Sequence, residues 1–163
     1  MKDALVRLVE PWAQLYGDST WIATFVVFGH IAALVFAGGL AITLDRATLR
    51  AARGGADMKT RQLDDLAAAH RVVLKGLALS VVTGVLLLTA DLETYLGSWV
   101  YWLKMTLVVL LLVNGFVMTR TERRIRTLSD PADAWARLRR TALASLILWF
   151  SIALAGVALV NAA

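Results

Sequence analysis

Long apolar runs alternate with charged stretches along this chain. Four runs, Trp21–Leu44, Val72–Ala90, Trp99–Thr119 and Thr141–Val160, each hold roughly 19–24 residues with few charges among them. A helix rises 1.5 Å per residue, so about 20 residues cross a hydrocarbon core of ~30 Å. The pattern predicts four transmembrane helices. Val81–Ala90 shows no polar face at helical period, which a soluble amphipathic helix would need. The expected fold is all-α: an integral membrane four-helix bundle, antiparallel up-down-up-down, forming a single transmembrane domain over 1–163.

The polar stretches predict the connections. Ala4–Leu15 places Leu5, Leu8, Val9, Trp12 and Leu15 roughly on one side of a helix, which reads as a short N-terminal interfacial helix. Asp18, Ser19 and Thr20 offer N-caps for the first span. Arg53-Gly-Gly55 breaks the chain after it. Asp57–Arg71 is rich in helix formers and is expected to run into the second span without a break. Asp91–Ser98 reads as a tight turn. Ser129-Asp130-Pro131 starts a new helix, with a cap followed by proline in the first turn.

Composition fits a membrane protein: apolar residues make up 59% of the chain and charged residues 18%. A soluble domain of 163 residues has too little interior for that much hydrocarbon. There is no cysteine, which excludes disulfides and thiolate metal sites. Lys2, Asp3, Arg7 and Glu10 interrupt the N-terminus, so it does not read as a signal peptide. The net charge of +5 is placed by topology. The loop 45–71 carries six Lys/Arg against four acids, 120–140 carries seven against three, and Asp91–Ser98 carries acids alone. Lys and Arg collect on the cytoplasmic side. Both basic loops are therefore expected in the cytoplasm, with both termini on the periplasmic side of a bacterial inner membrane. Trp12, Trp21, Tyr95, Trp99, Tyr101 and Trp102 cluster at the opposite interface, where amphipathic rings settle. The basic stretches lack the aromatic and glycine pattern of a nucleic-acid binder. The expected partners are the lipid bilayer and either a second copy or a membrane partner subunit.

Ionisable groups inside a bilayer are costly and mark function or pairing. His30 lies about nine residues into the first span, with Ala37, Gly38 and Ala41 on its face. Small residues let helices approach, so this face is expected to point into the bundle. Its imidazole suits either a metal ligand or a hydrogen bond to a neighbouring helix. His70 sits at the cytoplasmic mouth of the second span. Its depth differs from that of His30 by well over 10 Å at the helical rise, too far for one haem to take both as axial ligands. Lys104 and Met105 fall near the level of His30, and Met118 near that of His70. Methionine serves as an axial haem ligand and joins histidine on copper, though it is more often a packing residue. Lys104 either snorkels to headgroups or holds a carboxylate, and Lys75 is expected to snorkel. Asp45-Arg46 reads as a boundary pair ending the first helix. Ser80, Thr83, Asn114 and Ser145 are expected to hydrogen-bond between helices. Gly76, Gly84, Gly115 and Gly156 are expected to let helices touch. No phosphate loop, HExxH or Ser/His/Asp set is present.

Phe28-Gly-His-Ile-Ala-Ala-Leu-Val-Phe-Ala-Gly-Gly39 resembles the histidine-bearing first helix of HemJ-type protoporphyrinogen oxidases and of CopD-like copper-resistance membrane proteins. Trp102-Leu-Lys-Met-Thr-Leu-Val-Val-Leu-Leu-Leu112 is similar to their third-helix motif, an aromatic and a lysine before a leucine/valine run. By this resemblance His30 is the haem-binding histidine and Lys104 the essential third-helix lysine. It implies haem b and a redox role, with His30 as the metal ligand and Lys104 beside the cofactor; depth along the helices adds Met105 as a candidate, and His70 is carried as a further cofactor-binding candidate. A non-catalytic membrane accessory or scaffold subunit, and copper or small-solute transport, are the alternatives.

Overall fold

The computed structural model describes residues 2–162, with side chains described from Val6 to Asn161. Leu5 of the predicted N-terminal apolar face lies outside the described side chains. Six helices follow in order: α1 (Lys2–Asp18), α2 (Thr20–Ala51), α3 (Ala56–Ala90), α4 (Leu92–Gly97), α5 (Trp99–Ile125) and α6 (Ala132–Ala162). No strand occurs among the described residues. Helices α2, α3, α5 and α6 are each long and apolar enough to span a membrane. The protein is an all-α, multi-pass membrane bundle, as its hydropathy predicts.

Local chemistry sets the helix ends. The Ser19 hydroxyl accepts from the Ile22 amide (3.4 Å) at the start of α2. The Asp130 carboxylate accepts from the Ala132 amide (3.1 Å) at the start of α6. The Pro131 carbonyl accepts from the Trp135 amide (2.9 Å), and proline's missing N–H costs nothing in a first turn. Between α3 and α5 the chain is not a bare turn as expected. Asp91 caps the Thr94 amide (3.3 Å) and α4 forms one short helix there.

Close approach at small residues builds the bundle. Helix α2 packs on α3 and α6, and α5 packs on α6, while α3 and α5 approach each other less closely. At Gly76 of α3, an added Cβ would stand 2.9 Å from Ala37 Cβ on α2. At Gly38 of α2, it would stand 3.1 Å from the Trp149 ring on α6. Ala37, Leu111, Trp149 and Ile152 form an apolar cluster at mid-bundle. Gly84 and Gly156 also meet a neighbouring helix, touching His30 and Lys104 side chains respectively. Gly115 does not: no atom lies within 4 Å of its Cβ position. Among the described residues its small size serves no interhelical contact, contrary to expectation.

The basic end is largely helical. Helix α3 has 35 residues, or ~52 Å at the helical rise, against ~30 Å of hydrocarbon. The connecting segments 45–71 and 120–140 are mainly helical extensions of the spans, as expected for Asp57–Arg71 and for the helix that starts after Pro131. Ala51, Leu63, Leu66, Ile125, Trp135 and Leu138 bury a second apolar cluster between them. The spacing of Leu63–Leu66 and Trp135–Leu138 within polar surroundings is that of amphipathic helices. Arg126 bridges α5 to Asp64 on α3 at 3.0 Å.

At the aromatic end, α1 lies against α3 and α2. Trp12 Nε1 donates to the Leu86 carbonyl (2.9 Å) and ties α1 to α3. Its expected single apolar face is divided: Val9 and Trp12 turn toward the bundle, while Leu8 and Leu15 are 76% and 51% exposed. Tyr95 and Tyr101 pack 6.2 Å apart, and Trp102 Nε1 donates to the Leu96 carbonyl (3.1 Å). These rings gather where the sequence places an interface.

Candidate functional site

His30 is half-buried on the face of α2 that meets α3. Gly84 makes room for its ring, since a Cβ there would stand 3.2 Å from His30 Cε1. Nδ1 lies 3.0 Å from the Ser80 carbonyl oxygen. A carbonyl only accepts, so Nδ1 carries a proton and donates it. The Thr83 hydroxyl lies 3.1 Å from the same nitrogen. It spends its own proton on the Leu79 carbonyl (2.8 Å), so it offers Nδ1–H a lone pair. Thr83 makes the interhelical side-chain contact the sequence predicts, whereas Ser80 meets His30 through its backbone carbonyl and not its hydroxyl.

This anchoring decides the other nitrogen. In a neutral ring with Nδ1 protonated, Nε2 holds the lone pair. It makes no hydrogen bond among the described residues, and it is not sealed either. The one sealed, unpartnered side-chain atom described is Asp45 Oδ2. Histidines that bind metals are commonly oriented in this way, with the second nitrogen donating to a backbone carbonyl.

Lys104 lies across the bundle on α5, half-buried, with Nζ 3.9 Å from where a Gly156 Cβ would be on α6. Lys104 has no ion-pair partner among the described residues. The Asp91 carboxylate is engaged as the α4 cap. Among the described residues the aromatic end thus holds an imidazole nitrogen without a hydrogen bond on the α2–α3 pair and a lysine without an ion-pair partner on the α5–α6 pair. The less closely packed α3–α5 side lies between the two pairs.

The other candidates lie apart from this site or carry no distinct contact. Met105 is half-buried beside Lys104 on α5. Met118 packs against the apolar cluster of the basic end. His70 is half-buried on α3. It lies ten residues, or ~15 Å, from Ser80 along that helix. Lys75 is exposed. Among the described residues no group of three or more His, Cys, Asp or Glu side chains gathers to hold a metal ion. Two surface grooves, of about 520 and 440 Å³, lie elsewhere. One opens between Arg50, Asp57, Arg61 and Asp65, and the other is lined by Leu110, Val113, Asn114 and Ile147.

A second polar layer lies below the central apolar cluster and was not read from the sequence as a unit. Asp45 is 2% exposed and Thr48 0%. Gln62 Nε2 donates to the Thr48 hydroxyl (3.0 Å) and to the Leu44 carbonyl (3.2 Å). Asn114 Nδ2 donates to the Thr141 carbonyl (3.0 Å) and ties α5 to α6. Asp45 is not a boundary partner of Arg46, because it turns inward toward Ser145 of α6 while Arg46 is exposed. Adjacent helical residues point ~100° apart and cannot face each other. The signal was present: Asp45 stands seven residues after Gly38 and fifteen after His30, two positions that also face the interior.

Comparison of the chain with protein-family models, with curated proteins and with solved structures found no match in any of the three.

Proposed function

We propose that this protein is a membrane-embedded b-type haem protein with a redox role, holding the haem in the half of the bundle nearer the aromatic end. His30 Nε2 would bind the iron, and Lys104 would pair with a propionate. The observation that carries this reading is the Nδ1–H bond to the Ser80 carbonyl, which leaves Nε2 free. Haem joins a metal that needs an imidazole to carboxylates that need a cation. The two halves of the site match those two demands. Bound haem supplies a one-electron iron couple; the protein's own groups orient the imidazole, compensate charge and surround the ring with hydrocarbon.

The donor set also separates haem from a bare ion. A porphyrin brings four nitrogens of its own, so one histidine is enough to hold it. A copper ion handled by protein side chains would need more donors than His30 has beside it. The resemblance of Phe28–Gly39 and Trp102–Leu112 to HemJ-type proteins supports the same assignment. Met105 is the candidate for a sixth ligand. His70 is too distant along α3 to share the iron with His30. By its charge, the basic end is assigned to the cytoplasm and both termini to the periplasmic side of a bacterial inner membrane.

The test is the absorption spectrum of detergent-solubilised protein made with haem available, oxidised and then reduced. The expected result is a Soret band that His30→Ala abolishes and Lys104→Ala weakens. A colourless protein overturns the assignment.

A further inference from the structure

The polar layer toward the basic end holds a carboxyl group that the haem reading does not use. Asp45 is 2% exposed, and its Oδ2 has no hydrogen-bond partner. No ion pair reaches it among the described residues. The surroundings explain why. Thr48 and Thr141 both direct their hydroxyl protons to helix carbonyls, at Leu44 and Leu138 (each 2.9 Å). Their oxygens are left as acceptors, and that of Thr48 is already taken by Gln62. Ser145 is the donor the structure places near Asp45. Oδ2 is thus a buried carboxyl oxygen with no donor among the described residues, and a carboxylate in that position is costly unless a proton or cation joins it.

We propose that Asp45, with Ser145, binds a small monovalent cation, a proton or sodium, in the half of the bundle nearer the basic end. Bound as a proton, it gives Oδ2 an O–H that donates to a neighbouring acceptor oxygen. Bound as sodium, it takes Oδ2, the Ser145 hydroxyl and further lone pairs of the layer as ligands. Fixed charges do not fill the place. Arg46 and Arg50 on α2, Lys75 and Arg71 on α3, and Arg139 and Arg140 on α6 are all exposed. Among the described residues near this depth, His70 on α3 is half-buried, and Glu122 on α5 is buried and paired with Arg126. Ala37 faces Gly76, so Asp45, eight residues further down α2, lies opposite about residue 68 of antiparallel α3. The apolar cluster around Trp149 separates this site from His30, so it stands or falls independently of the haem.

The experiment compares the full-length protein with Asp45→Asn in detergent, using two probes. The first is thermal unfolding in sodium chloride against choline chloride. The second is infrared difference spectroscopy between acid and alkaline pH. If sodium is the ion, sodium raises the wild-type melting temperature and Asp45→Asn removes the shift. If a proton is the ion, a buried carboxylic-acid C=O band appears in the wild type and is absent from Asp45→Asn. Ser145→Ala serves as the second variant: it should weaken the sodium shift or move the acid band, and it keeps the test valid if Asp45→Asn does not fold. The proposal is overturned if neither the sodium shift nor the acid band is present in the wild type, or if whichever appears survives in the variants.

Discussion

Replacing Gly76 with alanine puts one methyl group where α2 and α3 come closest. That methyl would stand 2.9 Å from Ala37 Cβ, 3.6 Å from its Cα and 3.7 Å from the Ala33 carbonyl oxygen. Carbon atoms rest at about 3.5–4.0 Å, so the contact is short by roughly 0.6–1 Å. Ala37 Cβ hangs directly on helix backbone and cannot swing aside, so the helices must part. Overpacking of this kind costs about 1–3 kcal/mol. Alanine also favours the helix over glycine by about 1 kcal/mol, which partly hides the loss. Gly115→Ala supplies the reference: it brings the same propensity gain and meets nothing within 4 Å. The difference between the two variants therefore isolates the packing term, at about 1–3 kcal/mol. The Nδ1–Ser80 bond, at 3.0 Å, lies one to two turns away on the same interface. Parting α2 from α3 should stretch it, so Gly76→Ala should also weaken the His30 site. The assay is reversible unfolding in mixed micelles, followed by circular dichroism. Equal stability of the two alanine variants, within about 0.5 kcal/mol, would refute the assigned α2–α3 contact.

Three further outcomes are expected. Trp149→Ala empties the centre of the mid-bundle cluster and should destabilise by about 3–5 kcal/mol, read in the same unfolding assay. Trp12→Phe keeps the ring and loses the hydrogen bond to the Leu86 carbonyl; it should cost about 0.5–1.5 kcal/mol and speed amide exchange in α1 selectively. Asp64→Ala should be nearly silent, within about 1 kcal/mol, because its bridge to Arg126 is exposed at both side chains; Arg126→Ala should cost more in the same unfolding assay, because it also removes the 3.5 Å partner of the buried Glu122.

The spans were legible because hydrocarbon thickness fixes their length and the charged stretches fix their ends. Caps at Ser19 and Asp130 were legible for the same local reason. Extension of the helices beyond the membrane was half visible. The helix formers of Asp57–Arg71 show that α3 runs on past the span, but Ile125, Trp135 and Leu138, the partners of its Leu63 and Leu66, lie far off in the chain. The His30 site was legible as residue types: a histidine among small residues, with serine and threonine on another span. That Ser80 takes the Nδ1 proton, and so frees Nε2, depends on the rotational setting of α3 against α2, which no local pattern encodes. Asp45 was misread because Arg46 beside it offered an obvious partner, while the helical turn sends the two in different directions. Gly115 shows the converse: a small residue in a span marks a possible contact, and only the packing decides whether one is made.

The account rests on a free Nε2 at His30, and His30→Gly tests it most directly. This variant removes the ring and leaves a gap that imidazole can fill. Haem titrated into the wild-type apoprotein should give a Soret band that saturates at one haem per chain. His30→Gly should lose that band, and added imidazole should restore it. A band that is unchanged in His30→Gly, or indifferent to imidazole after its loss, would contradict the assignment of His30 as the iron ligand.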